Sequence, residues 1–302
     1  MRSGYRGRFA PSPTGPLHFG SLVAAVASYL EAKSKGGEWL VRIDDLDPPR
    51  TVAGAADDIL HTLDACGMRW DGTVVYQSAR SDAYQEALER LRRLGIVYPC
   101  ACSRREIADS ALAGIEGLVY PGTCRNGIAA GKTARAWRVI TRGAHIVFAD
   151  ALQGPVQQNL ETESGDFVLY RADRVFAYQL AVAVDDAAQG ITDVVRGADL
   201  LDSTPRQIYL QQLLGLPTPH YMHVPAAVNA EGEKLSKQTR AAAIDARQPL
   251  PALLAAIGFL GQQPPDDLAR ADAATLWQWA IANWRSADIP RRRQLAAPPD
   301  AL

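Results

Sequence analysis

No stretch of the sequence is apolar for long enough to span a bilayer, and the N-terminus carries no apolar core of a secretory signal. No membrane partner is expected, and the cytoplasm is the expected location. Cysteine is scarce: four in 302 residues do not make a disulfide framework. An excess of one charge is missing too. The net charge is −1, so there is no global basic field, and a nucleic-acid partner would have to be met by local arginines. Arg2, Arg6, Arg92, Arg93, Arg104, Arg105 and Arg291 to Arg293 are the candidates, although each cluster alone reads first as a solvated face. No internal repeat and no low-complexity tract interrupts the chain. What remains is a globular composition, 47% hydrophobic and 22% charged, at a length that holds a large core and two or three subdomains.

The most informative stretch lies near the N-terminus. Tyr5 to Ala10 reads as a short strand, and Pro11, Pro13, Gly15 and Pro16 build a rigid turn after it. His18-Phe19-Gly20-Ser21 then leads into Leu22 to Lys33, a good helix by composition. Strand, tight turn and helix can set backbone N–H groups and a helix N-terminus against a phosphate. An ordinary connection would look similar, but Gly20 beside His18 lets a ligand come close to the backbone.

Glu38 to Ile43 reads as a second strand, ending in Asp44-Asp45-Leu46-Asp47. Carboxylates at that end of a strand sit where open α/β sheets bind ligands; Asp44 is expected to face the ligand, and Asp45 and Asp47 to be structural. Thr51 is placed to cap a helix carrying Ile59, Leu60 and Leu63, Cys66 reads as a buried thiol, and Arg80 to Leu94 forms an amphipathic helix stopped by Gly95. These βα units fit half of a doubly wound sheet. Cys100, Cys102 and Cys124 then cluster as zinc ligands do, with no histidine between them to complete the set. Tyr120 lies close by and reads, on chemistry alone, as an aromatic wall. Strands are expected over 136–140, 145–150 and 166–170, all in a connecting subdomain. Tyr178 sits in an apolar run and reads as a core aromatic. Ile191 to Val195 is a further strand with Arg196 at its ligand edge, and Thr204-Pro205 opens a helix through Leu214. Lys234 and Lys237 stand on a loop that can fold over a triphosphate, where Lys237 would neutralise charge on leaving pyrophosphate. Leu253, Leu254, Ile257 and Phe259, then Leu276, Trp277, Trp279 and Trp284, mark helices near the C-terminus, and the proline-rich tail after Ile289 is expected to be loosely held.

Pro11-Ser12-Pro13-Thr14-Gly15 with Leu17-His18-Phe19-Gly20-Ser21, answered far downstream by Glu233-Lys234-Leu235-Ser236-Lys237-Gln238, resembles the two signatures of class I aminoacyl-tRNA synthetases in their glutamyl form. The likeness covers most of the chain and is nearest to a shortened branch that loads glutamate onto the queuosine base in the anticodon of tRNA(Asp). It implies a doubly wound parallel-sheet (Rossmann-type) nucleotide-binding domain, split by a zinc-containing α+β insertion and followed by a short helical C-terminal region. The implied division is residues 1–97 and 176–238 for the two halves of the catalytic domain, 98–175 for the insertion and 239–302 for the C-terminal region. Arg8, Phe9, Ala10, Pro11, Ser12, Asp44, Tyr178 and Arg196 are implied to bind L-glutamate. His18, Gly20 and Lys237 are implied to bind ATP, accompanied by Mg²⁺, and His18, Lys234 and Lys237 to be catalytic. Cys100, Cys102, Tyr120 and Cys124 are implied to hold one structural zinc ion, the tyrosine as phenolate. Asp44 stands where glutamyl relatives carry Glu.

The implied activity is ATP-dependent formation of glutamyl-adenylate and transfer to queuosine-bearing tRNA(Asp) by a monomer. About sixty residues after Thr239 are too few for an anticodon-reading domain of the long synthetases. A minimal enzyme charging a tRNA 3′ end and an inactive RNA-binding paralogue are the alternatives; intact His18, Lys234 and Lys237 speak against the second.

Overall fold

The computed structural model describes residues 4–110, 112–115, 117–235 and 242–299. Ser236, Lys237 and Gln238 lie outside the described residues, as does Arg2. β1 (Arg6–Phe9) feeds the proline turn and then α1 (Phe19–Ser34). The helix opens before Leu22 because His18 and Ser21 cap it reciprocally: Ser21 Oγ accepts the His18 N–H at 2.9 Å, and the His18 ring accepts the Ser21 N–H at 3.4 Å. Leu22, Val23, Val26 and Leu30 are all buried, as expected of a helix that is apolar on nearly every side.

β2 (Glu38–Ile43) pairs in parallel with β1, Arg8 opposite Leu40. α2 (Ala55–Ala65) begins behind a left-handed Gly54, not at Thr51. The Thr51 hydroxyl instead donates to the Asp47 carbonyl at 3.1 Å, closing the short turn over Pro48–Arg50, so it is not the cap expected of it. β3 (Val75–Tyr76) joins β2 in parallel, and α3 (Ser81–Arg93) follows. β4 (Val97–Cys100), α4 (Arg104–Ser110), β5 (Leu112–Gly114), β6 (Gly117–Val119) and β7 (Ala136–Val139) come next.

β8 (His145–Asp150) and β9 (Gly154–Asn159) form a hairpin, followed by α5 (Leu160–Glu163) and β10 (Val168–Tyr170). β4 and β10 flank β7 antiparallel. α6 (Tyr178–Ala188), β11 (Asp193–Gly197), α7 (Thr204–Leu214) and β12 (His220–Val224) complete the central part. β11 and β12 are parallel, and β12 sets Tyr221 opposite Asp150 of β8. The strand over 145–150, expected within the connecting subdomain, thus belongs to the β12 sheet: its apolar face (Ala144, Ile146) packs with Val194, Ile208 and Tyr221. β1 meets the start of β11 through Thr192 N donating to Arg6 O at 3.0 Å, so the two parallel ladders stand side by side.

β13 (Ala226–Val228), α8 (Leu250–Phe259), α9 (Ala273–Asn283) and β14 (Gln294–Ala296) close the chain. α8 and α9 pack Leu253, Ile257, Leu276 and Trp277 into the same core as α1 and β2, and Trp277 Nε1 donates to the Cys66 carbonyl at 2.7 Å. Over its described residues, 290–299, the tail is tied down. β14 pairs in parallel with β13, and Arg293 forms an ion pair with Asp202 at 3.2 Å. Backbone pairing outweighs the proline content there. Among the described residues no helix is long and apolar enough to cross a membrane.

Candidate active site

The C-terminal ends of β1, β11 and β12 open into a cleft of about 660 Å³, the edge at which parallel sheets take ligands. Arg8, Phe9, Ala10, Pro11 and Ser12 line one wall, and Tyr178, Val195, Arg196 and Gly197 the facing one. His18 and Gly20 bring the start of α1 to the cleft, and Lys234 and Leu235 line it as well. Asp44 does not line this cleft. It lies in an adjoining recess of about 60 Å³ that shares Ser12, Thr14, Arg50 and Tyr178 with it. Tyr178, a core aromatic on its residues alone and a glutamate contact by the resemblance, is the first residue of α6 and is 36% exposed on the wall, so it is not a core aromatic.

Two glycines make the turn possible. Gly15 has φ +138°, which L side chains rarely adopt. A Cβ on Gly20 would stand 3.2 Å from the Leu235 carbonyl and 3.3 Å from the His18 ring, so this glycine admits the downstream loop as well as a ligand. Past residues 236–241, Ala243 bridges to His18 and the Ile244 N–H donates to Leu17 O at 2.9 Å. Both ends of the lysine loop are therefore fixed beside the start of α1. Lys234 pairs with Asp199 across 2.5 Å.

Beneath the cleft lies a buried charge network. Arg8 donates from Nε and Nη2 to the two oxygens of Asp186, both at 3.2 Å. Arg42, fully buried, donates from Nε to Asp44 Oδ1 at 2.7 Å and from Nη1 to Asp186 Oδ1 at 2.6 Å. Asp185 takes Arg80 at 2.5 Å, Tyr84 at 2.7 Å and Gln77 at 2.9 Å. Three guanidiniums thus meet three carboxylates. Burial alone would push Asp186 up, but Arg8 and Arg42 override it and hold the carboxyl down to about 2. For Asp44 burial wins over Arg42 and the carboxyl is pushed up to about 6. Asp44 Oδ2 and Arg42 Nη2 are buried without a hydrogen-bond partner. An unmatched buried acceptor of this kind suits a cationic donor from a ligand.

Arg196 differs from these. Its Nη2 donates to Thr204 Oγ1 and Gln207 Oε1, each at 2.8 Å, and its Nε donates to His223 Nε2 at 3.0 Å. Nη1 is buried and unpartnered, and among the described residues no carboxylate stands within ion-pair distance. A buried cation with an open pair of N–H donors on a cleft wall is a seat for an anion.

A second cluster lies at the end of β4. The sulfurs of Cys100, Cys102 and Cys124 all lie within 4.8 Å of one another. Tyr120 Oη is 3.4 Å from both Cys100 and Cys102 sulfurs and accepts the Cys124 N–H at 2.9 Å. A tetrahedral ion with bonds of about 2.3 Å to sulfur sets its sulfurs about 3.8 Å apart, so the set is of the right size for a metal. Burial pushes the Cys102 thiol up to about 11 and raises the Tyr120 phenol, an order that a divalent cation reverses. The Arg138 guanidinium lies 3.9 Å from the Tyr120 ring centroid, where it favours a phenolate.

Two arginines weighed as nucleic-acid contacts have partners on the protein surface: Arg6 pairs with Glu38, and Arg92 pairs with Glu89 while lying over Trp137. Sequence reasoning missed Arg42, Asp185, Asp186 and His223. A signal was present for the two aspartates, since Leu180 to Val184 is apolar on every position immediately before them. Nothing local marked Arg42 as the partner of Asp186 on α6, or His223 as the partner of Asp150 on β8 and Arg196 on β11.

The chain matches the family described as tRNA synthetases class I (E and Q), catalytic domain, over residues 5–264. It is 60% identical to a glutamyl-Q tRNA(Asp) synthetase of Aromatoleum aromaticum, covering 97% of this chain and 93% of the relative. It is 61% identical to the protein of the same name in Dechloromonas aromatica, covering 99% and 100%. Among solved structures, a glutamate tRNA ligase of Elizabethkingia meningosepticum aligns with a TM-score of 0.80 at 23% identity, over 99% of this chain and 68% of that one, a likeness of fold.

Proposed function

Because the chain belongs to the class I tRNA synthetases for glutamate and glutamine, we propose that it activates L-glutamate with ATP and passes the glutamyl group to the queuosine base of tRNA(Asp), the activity its relatives are named for. The observation that carries the amino-acid choice is Arg196 Nη1, buried on the cleft wall without a hydrogen-bond partner. Among the described residues Arg8, Arg42 and Arg80 pair directly with Asp44, Asp185 and Asp186, while Arg196 has no carboxylate within ion-pair distance and meets Asp150 only through His223. The second carboxylate of glutamate can make that direct, charge-assisted contact; the neutral carboxamide of glutamine makes a weaker one.

In this reading Arg196 grips a substrate carboxylate with Nη1, and Asp44 Oδ2 receives the ammonium. Arg8 and the backbone of 9–12 complete the glutamate seat with Tyr178. One carboxylate oxygen attacks the α-phosphorus of ATP, and pyrophosphate leaves; class I synthetases use ATP with Mg²⁺. The protein contributes positioning and charge stabilisation. His18 Nδ1 accepts the Ser21 N–H, which orients the ring at the start of α1, where it serves the phosphates of ATP. Lys234 and Lys237 serve the leaving pyrophosphate, and Gly20 keeps room for the nucleotide. The catalytic domain is Rossmann-type, in two halves over 1–97 and 176–238, with β8 and β9 of the 98–175 insertion added to its sheet and α8 and α9 of the 239–302 region packed against α1. The assay is glutamate-dependent ATP–pyrophosphate exchange, followed by acylation of tRNA(Asp) from cells with and without queuosine. Exchange is expected without RNA, and charging only with queuosine present. Equal charging of unmodified tRNA(Glu) would favour a minimal glutamyl-tRNA synthetase, and no exchange a binding protein.

The cysteine cluster is proposed to hold one structural zinc ion through Cys100, Cys102, Cys124 and the Tyr120 phenolate, a closed shell with no open position. One zinc per chain is expected by elemental analysis. Cys124→Ser should lower metal content and the melting temperature together; a fully folded wild-type protein without metal would refute the assignment.

A further inference from the structure

Arg196 and His223 are opposite one another on neighbouring parallel strands, and the chain behind His223 is built with more care than a cap requires. His223 is fully buried, with Nδ1 at 2.6 Å from Asp150 Oδ2. The other Asp150 oxygen accepts three backbone N–H groups, from Leu152 at 3.0 Å, Gln153 at 2.9 Å and His223 itself at 3.2 Å. Oδ1 is therefore saturated and fixed as an acceptor, and Oδ2 is left to the imidazole. Burial, then His223 and the backbone donors, compete for the Asp150 carboxyl, and the donors win, so it stays ionised.

An ionised carboxylate against Nδ1 places the imidazole proton there. Nε2 is then bare, and it faces the Arg196 Nε–H at 3.0 Å and the Thr204 hydroxyl at 3.1 Å. Burial first, opposed by Asp150 and reinforced by Arg196, holds His223 down to about 4, so it stays neutral near pH 7. A proton on Nε2, in the other tautomer or in the cation, would point at the Arg196 N–H, donor against donor.

We propose that Asp150 and His223 are positioning residues for Arg196: the carboxylate selects the Nδ1–H tautomer, and the bare Nε2 then holds one edge of the guanidinium so that only Nη1 is offered to a substrate carboxylate. The pair has a selective consequence. Nη1 supplies donors alone, and it cannot swing to present another atom while Nε and Nη2 are held by three acceptors. A carboxylate can meet it with either oxygen and with its charge; a carboxamide can meet it only through its one oxygen and without charge, its NH₂ being refused. This inference rests on the reading of Arg196 as a substrate ligand.

Asp150→Asn tests it with little change of shape. Because the Oδ1 position must remain an acceptor for three N–H groups, the new NH₂ group falls against His223 Nδ1 and drives the proton to Nε2. In ATP–pyrophosphate exchange the KM for glutamate should rise by at least about tenfold, while the KM for ATP stays within about twofold. His223→Gln, whose side chain can offer an oxygen near the Nε2 position, should keep most of the glutamate affinity, and His223→Leu should lose it. In wild-type protein labelled with ¹⁵N-histidine, the signal missing from the His223→Gln spectrum should show protonated Nδ1 and bare Nε2. A folded Asp150→Asn with unchanged glutamate KM, or a wild-type His223 protonated on Nε2, overturns the proposal. If Asp150→Asn does not fold, the wild-type tautomer and the Gln and Leu pair decide. Should Arg196→Lys also leave the glutamate KM unchanged, the reading of Arg196 itself fails; loss in Arg196→Lys with no change in Asp150→Asn removes only the positioning pair.

Discussion

Arg196→Lys is expected to lower kcat/KM for glutamate in ATP–pyrophosphate exchange by about 10²–10³-fold, with the KM for ATP little changed. The exchange keeps the charge and removes the geometry. The guanidinium now donates to His223, Thr204 and Gln207 at once and still leaves Nη1 over. A lysine ammonium is a point charge on a flexible stem and cannot reach all four directions. If it turns to the substrate, His223 Nε2 and Gln207 Oε1 lose their strong donor in a buried place; if it stays with them, the substrate carboxylate goes unmet. Either way the loss falls on glutamate rather than on ATP. A reduction of less than about threefold would take Arg196 out of the glutamate site.

The parts of the molecule visible in the chain were those with local causes. Pro11, Pro13, Gly15 and Pro16 restrict their own dihedrals, so the β1–turn–α1 unit could be read directly, and the strand over Glu38 to Ile43 came out with its observed limits. Asp44 after β2 was legible as a carboxylate at a strand end, but its seat in a recess beside the cleft rather than on the cleft wall was not. What could not be read were relations between distant residues. Arg42 and Asp186 are 144 positions apart and become partners only when β2 and α6 pack together. Nothing in the sequence around His223 marked it, and its register against Arg196 exists only in the folded sheet. The error over Thr51 has a different origin: its hydroxyl met the Asp47 carbonyl before any helix N–H was within reach. The tail after Ile289 was misread because proline content says nothing of a strand waiting to be paired, and β13 was that strand.

Asp186→Asn should be the most damaging single-atom exchange in the fold. Asp186 is almost fully buried and is held by two arginines that are themselves buried, Arg8 and Arg42. The carboxamide keeps the shape but removes the anion, and its NH₂ turns a donor towards guanidinium donors. Removing one partner from a buried ion pair costs roughly 3–5 kcal/mol, because the surviving charge is left without compensation. For a protein of this size that is a fall in Tm of roughly 5–8 °C. The pH dependence follows the same group. Its carboxyl lies at about 2 in the folded protein, below the ordinary value of 3.8, so its contribution is present above pH 3.8 and is lost as the pH falls towards 2. The variant should therefore lack that part of the acid-induced loss, and the gap between wild type and variant should narrow as the solution is acidified. Glu89→Gln, which breaks the surface pair with Arg92, serves as the comparison and should stay within about 0.5 kcal/mol of wild type. Urea unfolding at pH 7 and pH 3.5 gives both numbers. A variant within about 1 kcal/mol of wild type at pH 7, with an unchanged slope in denaturant, would mean that Arg8 and Arg42 find other compensation and that the three-against-three charge count does not govern this site.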